Sequence, residues 1–358
     1  MKPSQLYTRW TYRQSGATAP ASRISLTGGR GIARLGESYL PTLHLPVHQE
    51  GRDGSPQTKQ TGTLRGDMEV LQLAISGIAM GCIYALIALG FVLIYKATEV
   101  VNFAQGDVMM LGAFVAFTFA SLWGLPFGAA VVFAVAVLAG VGALFDRVLL
   151  RPIIGQPTFS AVMITIGIGF VARGVATMIP GWGTDTHALK APWSDGTIKL
   201  GTLVVSTDDL AIIVLTALLC LALWGFFSRT RLGIAMQASS QNQLAAYYMG
   251  IPVRRINTLI WGISAGIAAF AAVLLAPITF VHSNMGFVGL KAFPAAVVGG
   301  FGSIPGAIVG GLIIGLVESF AGFYLPEGFK NVAAYIVVLV VLMVRPSGIF
   351  AEMRRKKV

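Results

Sequence analysis

The sequence predicts an all-α polytopic integral membrane protein with about 8–9 transmembrane helices, on three observations. Hydrophobic residues make up 55% of the 358 and charged residues 11%, against about 25% charged in a soluble domain; mean hydropathy is +0.74. Several apolar runs reach about 18 residues, the length at which a helix crosses a bilayer. None alternates polar and apolar positions as the strands of a transmembrane barrel do.

In chain order, residues 1–67 stand apart. They are rich in Ser, Thr, Gly, Pro and Arg, carry 9 Lys/Arg against 4 Asp/Glu, and lack the apolar core of a signal peptide. The stretch reads as a disordered or mis-annotated extension. Met68, directly before the first hydrophobic segment, is the expected start. Apolar runs then place spans at 70–95, 106–123, 127–146, 158–179, 208–228, 257–280, 287–303, 304–320 and 331–346. Residues 68–350 therefore form the membrane domain, and 351–358 a basic tail.

Lys and Arg set the orientation, because positive charge concentrates in cytoplasmic loops. The loop at Arg147 and Arg151, the loop 229–256 and the tail "RRKK" are expected in the cytoplasm. Loop 181–207, with Trp182, Trp193 and Asp185 but only two lysines, is expected on the other side, as is Met68. An even number of crossings must separate loop 229–256 from the tail. That requires the Gly-rich stretch 287–320 to cross twice, the alternative being one crossing fewer with part of it re-entrant. The net charge of +11 is explained by this loop pattern, and no nucleic-acid partner is expected.

Glycine is abundant, at 43 residues, and it is spaced. Gly77 and Gly81, and then Gly302, Gly306 and Gly310, follow the small-xxx-small pattern that lets helix backbones approach where lipid gives no hydrophobic drive. Cys82 and Cys220 lie inside apolar runs and read as small fillers, not a disulfide or a metal site. No metal site is expected.

Two stretches carry polar chemistry. The first, "VVNFAQGDVMML", places Asn102, Gln105 and Asp107 where the first span gives way to the second. An ionisable group at membrane depth is costly and faces the bundle interior or a wet cavity, while the amides can satisfy backbone groups freed at a helix break. Either the three stitch a corner between helices, or they form a polar constriction or hinge at the cytoplasmic end of a pathway. Glu318 near the end of the eighth span is a second pathway candidate, or a carboxylate that snorkels to the outer interface. Phe287 and Lys291 lie near the outer surface. "GISAG" around Ser264 matches a nucleophile elbow only in letters, since it falls inside a span without a histidine partner.

The second stretch is "SRTRLGIAMQASSQNQLAAYYMGIPVRRINTLI". Leu244, Ala245, Ala246, Gly250 and Ile260 reproduce much of E-A-A-x3-G-x9-I, with Leu in the acidic first position. With "GIAMGCIYALIALGFVLIYKATEVVNFAQGDVMMLGAF", "GLKAFPAAVVGGFGSIPGAIVGGLIIGLVES" and "VLMVRPSGIF", the chain from Met68 to about Phe350 resembles the LivH-type permeases of branched-chain amino acid ABC transporters. The resemblance implies an ABC importer permease bundle at the inner (plasma) membrane, paired with a second permease subunit as a heterodimer. It also implies two ATP-binding cassette ATPase subunits that meet the coupling loop at about 229–256, and a periplasmic substrate-binding protein. No G-x4-G-K-[ST] occurs, so no cofactor is expected on this chain and ATP would be used by its partners. Relatives of this class also carry urea and short amides. A stand-alone channel or secondary transporter would need paired half-helix motifs, and "VNFAQGD" is single.

Overall fold

The computed structural model describes residues 57–153, 156–194, 196–200, 203–326 and 328–350. The extension up to residue 56 and the tail 351–358 fall outside this set. The first helix, α1 (Gln57–Thr98), begins before the boundary expected at Met68. Residues 57–67 continue it as a polar helical extension, because adding turns to a formed helix is far cheaper than nucleating one.

Then come α2 (Gln105–Phe117), extended by a π-turn at Thr118–Leu122, and α3 (Phe127–Phe145), extended by a π-turn and a 3-10 turn to Ile153. They are followed by α4 (Thr158–Met178), the strands β1 (Thr197–Leu200) and β2 (Leu203–Ser206), and α5 (Thr207–Arg229). The second half holds α6 (Arg231–Gln241), α7 (Gln243–Tyr248), α8 (Val253–Thr279), α9 (Phe287–Gly299), α10 (Ile304–Tyr324) and α11 (Phe329–Val344). Seven of the described helices are long and apolar enough to cross a bilayer; α9 and α11 are shorter.

α1 and α8 form the centre, their apolar windows 89% and 83% buried, whereas α5 is 17% and α3 22% buried. The cause is composition. The middle of α1 is apolar on every side, and α8 carries Ala265, Ala268, Ala269, Ala271, Ala272 and Ala276, all buried. A helix apolar all round belongs inside, and small side chains let neighbours close on it. α10 packs along α1, α3 along α8, and α9 against α10.

Glycine permits the closest of these approaches. A Cβ on Gly81 would lie 2.9 Å from Leu312 Cα, and one on Gly77 3.1 Å from Ser319 Cβ. Gly306 abuts Gly299, Gly310 abuts Ala295, and Gly315 rests on Gly81. Gly302 departs from the expected row: nothing lies within 4 Å of its Cβ position. It sits in the turn before α10, outside any helix, so helical spacing does not govern it.

The basic side chains Lys96, Arg151, Arg229, Arg231 and Arg254 gather at one end of the bundle, where Arg151 bonds to Arg254 O and Thr258 and Gln243 to Ala97 O. The α9–α10 corner is at this same end. Phe301 packs on Tyr95 with ring centroids 4.9 Å apart, and Ile349 and Phe350 donate to Val298 O and Gly299 O.

α9 starts far from that opposite end where α8 finishes. Its 13 residues span about 20 Å, less than the roughly 30 Å hydrocarbon core. The irregular segment 280–286 brings the chain down from the outer loop, where Val281 bridges to His187, and α9 continues to the basic end. Together they make one crossing, so α8, 280–299, α10 and α11 give four, the even number that the loop charges require.

The antiparallel β1–β2 hairpin, with Thr197 opposite Ser206 and Ile198 opposite Val205, is a feature not expected within loop 181–207. Gly315→Ala should lower the melting temperature of the purified protein sharply, since overpacking costs about 1–3 kcal/mol and here the obstruction is backbone. Gly302→Ala should leave it unchanged.

Candidate functional site: a polar junction at membrane depth

α1 stops at Glu99, whose φ is +55°, and the chain runs through 100–104 before α2 begins. Asn102 forms the first turn of this link. Its Oδ1 accepts from Ala104 N at 3.1 Å and its Nδ2 donates to Gln105 Oε1 at 3.1 Å. Gln105 Nε2 donates to Ser264 O at 3.3 Å, and Ser264 Oγ donates to Gly90 O at 2.9 Å. Phe103 N donates to Thr165 Oγ1. Asn102 and Gln105 are 2% and 1% exposed. The link thus ties α1, α2, α4 and α8 together, and it does so deep in the bundle: Ser264 lies about 16 Å along α8 from the basic end. The stretch expected to stitch a corner, or to form a hinge at the cytoplasmic end of a pathway, thus lies inside the bundle.

Asp107 sits in the first turn of α2, where a carboxylate suits the helix dipole. Its Oδ1 meets Arg173 Nε of α4 at 2.5 Å. Gly169 of α4 and Gly286 leave the room, since a Cβ on either would strike the carboxylate. The Arg173 guanidinium lies 4.3 Å from the centre of the Phe287 ring at the start of α9. Gly106 and Gly289 pack backbone to backbone, so the first turns of α2 and α9 meet here. From this junction α2 runs to the outer end and α9 to the basic end.

Glu318 is 4% exposed and does not snorkel outward. Tyr84 Oη donates to it from α1, and Lys291 Nζ of α9 reaches it at 3.4 Å while also donating to Asn331 of α11 at 2.7 Å. Asp107–Arg173 and Glu318–Lys291 are therefore two charge pairs, each fastening one short helix to a long one. Ser264 spends its hydroxyl on structure, and the described histidines His187 and His282 bond to loop carbonyls. Cys82 and Cys220 are unpaired thiols, and the described residues hold no cluster able to bind a metal.

The second group of candidates separates. Leu244 and Ala245 are exposed on α7, Ala246 is 5% exposed, and Ile260 is 3% exposed inside α8. Ile260 thus belongs to the core and not to the loop surface. α7 starts at Gln243 because Asn242 caps it, accepting from Ala245 N at 2.9 Å. At the other end Gly250 has φ +82°, with Gly250 N bonded to Tyr247 O and Ile251 N to Ala246 O, a Schellman close. Tyr247, Tyr248 and Met249 are 67%, 77% and 83% exposed.

The sequence reading missed Arg173. Its signal was there, a lone arginine in an apolar run.

Charge held at membrane depth inside a many-helix bundle marks the functional site of a multi-pass membrane protein. Residues 73–345 match the family described as "Branched-chain amino acid transport system / permease component", and the chain belongs to that family. It is 32% identical over 301 residues to the high-affinity branched-chain amino acid transport system permease protein LivH of Escherichia coli K12, covering 80% of this chain and 97% of that one. With BraD of Pseudomonas aeruginosa the identity is 33% over 310 residues, 80% and 98% of the two chains. A LivH permease of Methanocaldococcus jannaschii is 30% identical over 283 residues, 74% and 87%. Among solved structures, PsaBC from Streptococcus pneumoniae in complex with Fab aligns with a TM-score of 0.43 at 16% identity, over 77% of this chain and 92% of that one.

Asp107→Leu alone should destabilise by about 2–4 kcal/mol, because it strands the Arg173 charge; the 23% exposure of that side chain keeps the cost below the fully buried case. Asp107→Leu with Arg173→Leu should recover much of the loss. Thermal melts of the singles and the double give the coupling.

Proposed function

We propose that this chain is a membrane permease subunit of an ATP-binding cassette importer at the inner (plasma) membrane, forming the path for branched-chain or related amino acids. The observation that carries the reading is the family match along nearly the whole membrane domain, supported by relatives named for that transport. In this reading a periplasmic binding protein delivers the substrate, a second permease subunit completes the path, and two ATPase subunits bind at the basic end.

The geometry suggests a division of labour. Asn102 and Gln105, in the link that joins α1, α2, α4 and α8, act as the hinge at the break before α2. Asp107 and Glu318, each paired to a cation beside a short helix, line or gate the path. α7 offers the ATPase contact: Leu244, Tyr247, Tyr248 and Met249 stand exposed on one short capped helix at the basic end, and an exposed apolar patch marks an interaction site. Gly250 fixes its exit, since φ +82° suits glycine and strains other residues.

Reconstitution tests this. Proteoliposomes holding the four-component complex should accumulate labelled leucine only with ATP and the binding protein; accumulation of urea instead would move the substrate class, and ATP-independent flux would indicate a channel or secondary transporter. Gly250→Val should leave the permease inserted and paired but cut ATPase subunit recovery. A cysteine replacing Ala245 should crosslink to the ATPase subunit, whereas one replacing Asp185 should not. The reverse pattern would invert the topology.

A further inference from the structure

Arg173 and the segment 282–286 point to one wet face at membrane depth. Side chains on a helix tilt toward its N-terminus, and α4 has its N-terminus at the basic end. Arg173 accordingly reaches inward, a turn back along its own helix, to the carboxylate beside Gly169. It does not snorkel to the nearer outer end. Its side chain is nonetheless 23% exposed. Asp107 takes only Nε, and among the described residues no acceptor is bonded to Nη1 or Nη2. A guanidinium open to lipid at this depth is costly, so this face is not a lipid face.

The backbone points the same way. Phe117 stacks on His187 at 4.5 Å, and His187 pairs with Val281, which puts Val281 about 15 Å outward of Asp107 by the rise of α2. Residues 282–286 cover that distance without a helix, and Asn284 is exposed. Irregular backbone at membrane depth is tolerated only inside protein or along a water-filled cavity. The exposed rings of Phe170 and Phe287 border the guanidinium, at 5.8 and 4.3 Å from their centres.

We propose that Nη1 and Nη2 of Arg173 bind the α-carboxylate of the amino acid as it passes mid-membrane, with Asp107 fixing the guanidinium from its Nε edge and the apolar residues beside it receiving an aliphatic side chain. A planar fork is suited to a carboxylate. Arg173 is thus a specificity-determining residue of the path, an inference that rests on the permease reading above.

The test uses the reconstituted four-component complex and labelled leucine, with uptake expressed per assembled complex. Arg173→Lys keeps a cation for Asp107 but loses the fork; uptake should fall about tenfold. Asp107→Asn with Arg173→Gln removes both charges together, and uptake should again be lost. If the pair only holds α2 to α4, the uncharged double variant transports like the parent, and that result overturns the proposal, as does parental uptake by Arg173→Lys. Absence of ATP-dependent uptake by the parent complex would instead refute the permease reading itself.

Discussion

Two helices start in the middle of the membrane, and the rest of the bundle is arranged to permit it. In hydrocarbon no water is available for the backbone groups that a helix end leaves bare. The break before α2 is closed from within by Asn102, Gln105, Ser264 and Thr165. The start of α9 is closed by the 282–286 turn and by direct backbone contact of Gly289 with Gly106. That contact needs glycine on both sides. α1 and α8 must then lie close together, because Ser264 O of α8 accepts from Gln105 of the broken segment while the Ser264 hydroxyl donates to Gly90 O of α1.

This arrangement puts the apolar pair at the centre and a charge pair near the start of each short helix. The central pair is almost wholly buried and held by interlocking alanine and glycine. Each of the two short helices also carries one charge pair, Asp107–Arg173 between α2 and α4 and Lys291–Glu318 between α9 and α10, in addition to its close packing. Such pairs contribute little net stability, since desolvation offsets attraction, but breaking one is costly. They therefore specify position more than they strengthen the fold. A force applied at α7 can reach the junction through α8, because α7 leads into α8 across the Gly250 turn and α8 carries Ser264.

Much of this was legible in the sequence. Span limits followed from apolar runs: α4 and α5 fall within a residue of expectation, and α2 begins at Gln105 as the polar stretch indicated. Loop charge called for an even number of crossings after loop 229–256, and α8, 280–299, α10 and α11 supply four. Depth was not legible, since hydropathy records how apolar a segment is and not where in the bilayer it begins. Hence Asn102 and Gln105 read either as the stitching of a corner or as a hinge at the cytoplasmic end of a pathway, and a re-entrant part of 287–320 was only the alternative reading, because "NMGFVGL" has no polar motif. Paired half-helices therefore exist here, and the single "VNFAQGD" did not exclude them. Arg173 was hidden by the apolar average of its own span. Ile260 matched a pattern by spacing but folds into α8, and Gly302 shared the glycine spacing without lying in a helix. The hairpin at 197–206 was signalled only by the short alternation "TIKLGTLVVS", easily lost between long hydrophobic runs.

The central claim is that the junction of α2 and α9 lies at membrane depth beside water. Thiol labelling of the assembled complex tests it most directly, in a background without Cys82 and Cys220. A membrane-impermeant reagent should modify a cysteine replacing Asn284 and spare one replacing Leu218, which is 57% exposed on the lipid-facing helix α5. Protection of position 284 from that reagent, with reaction instead toward a lipid-soluble thiol probe, would contradict the account.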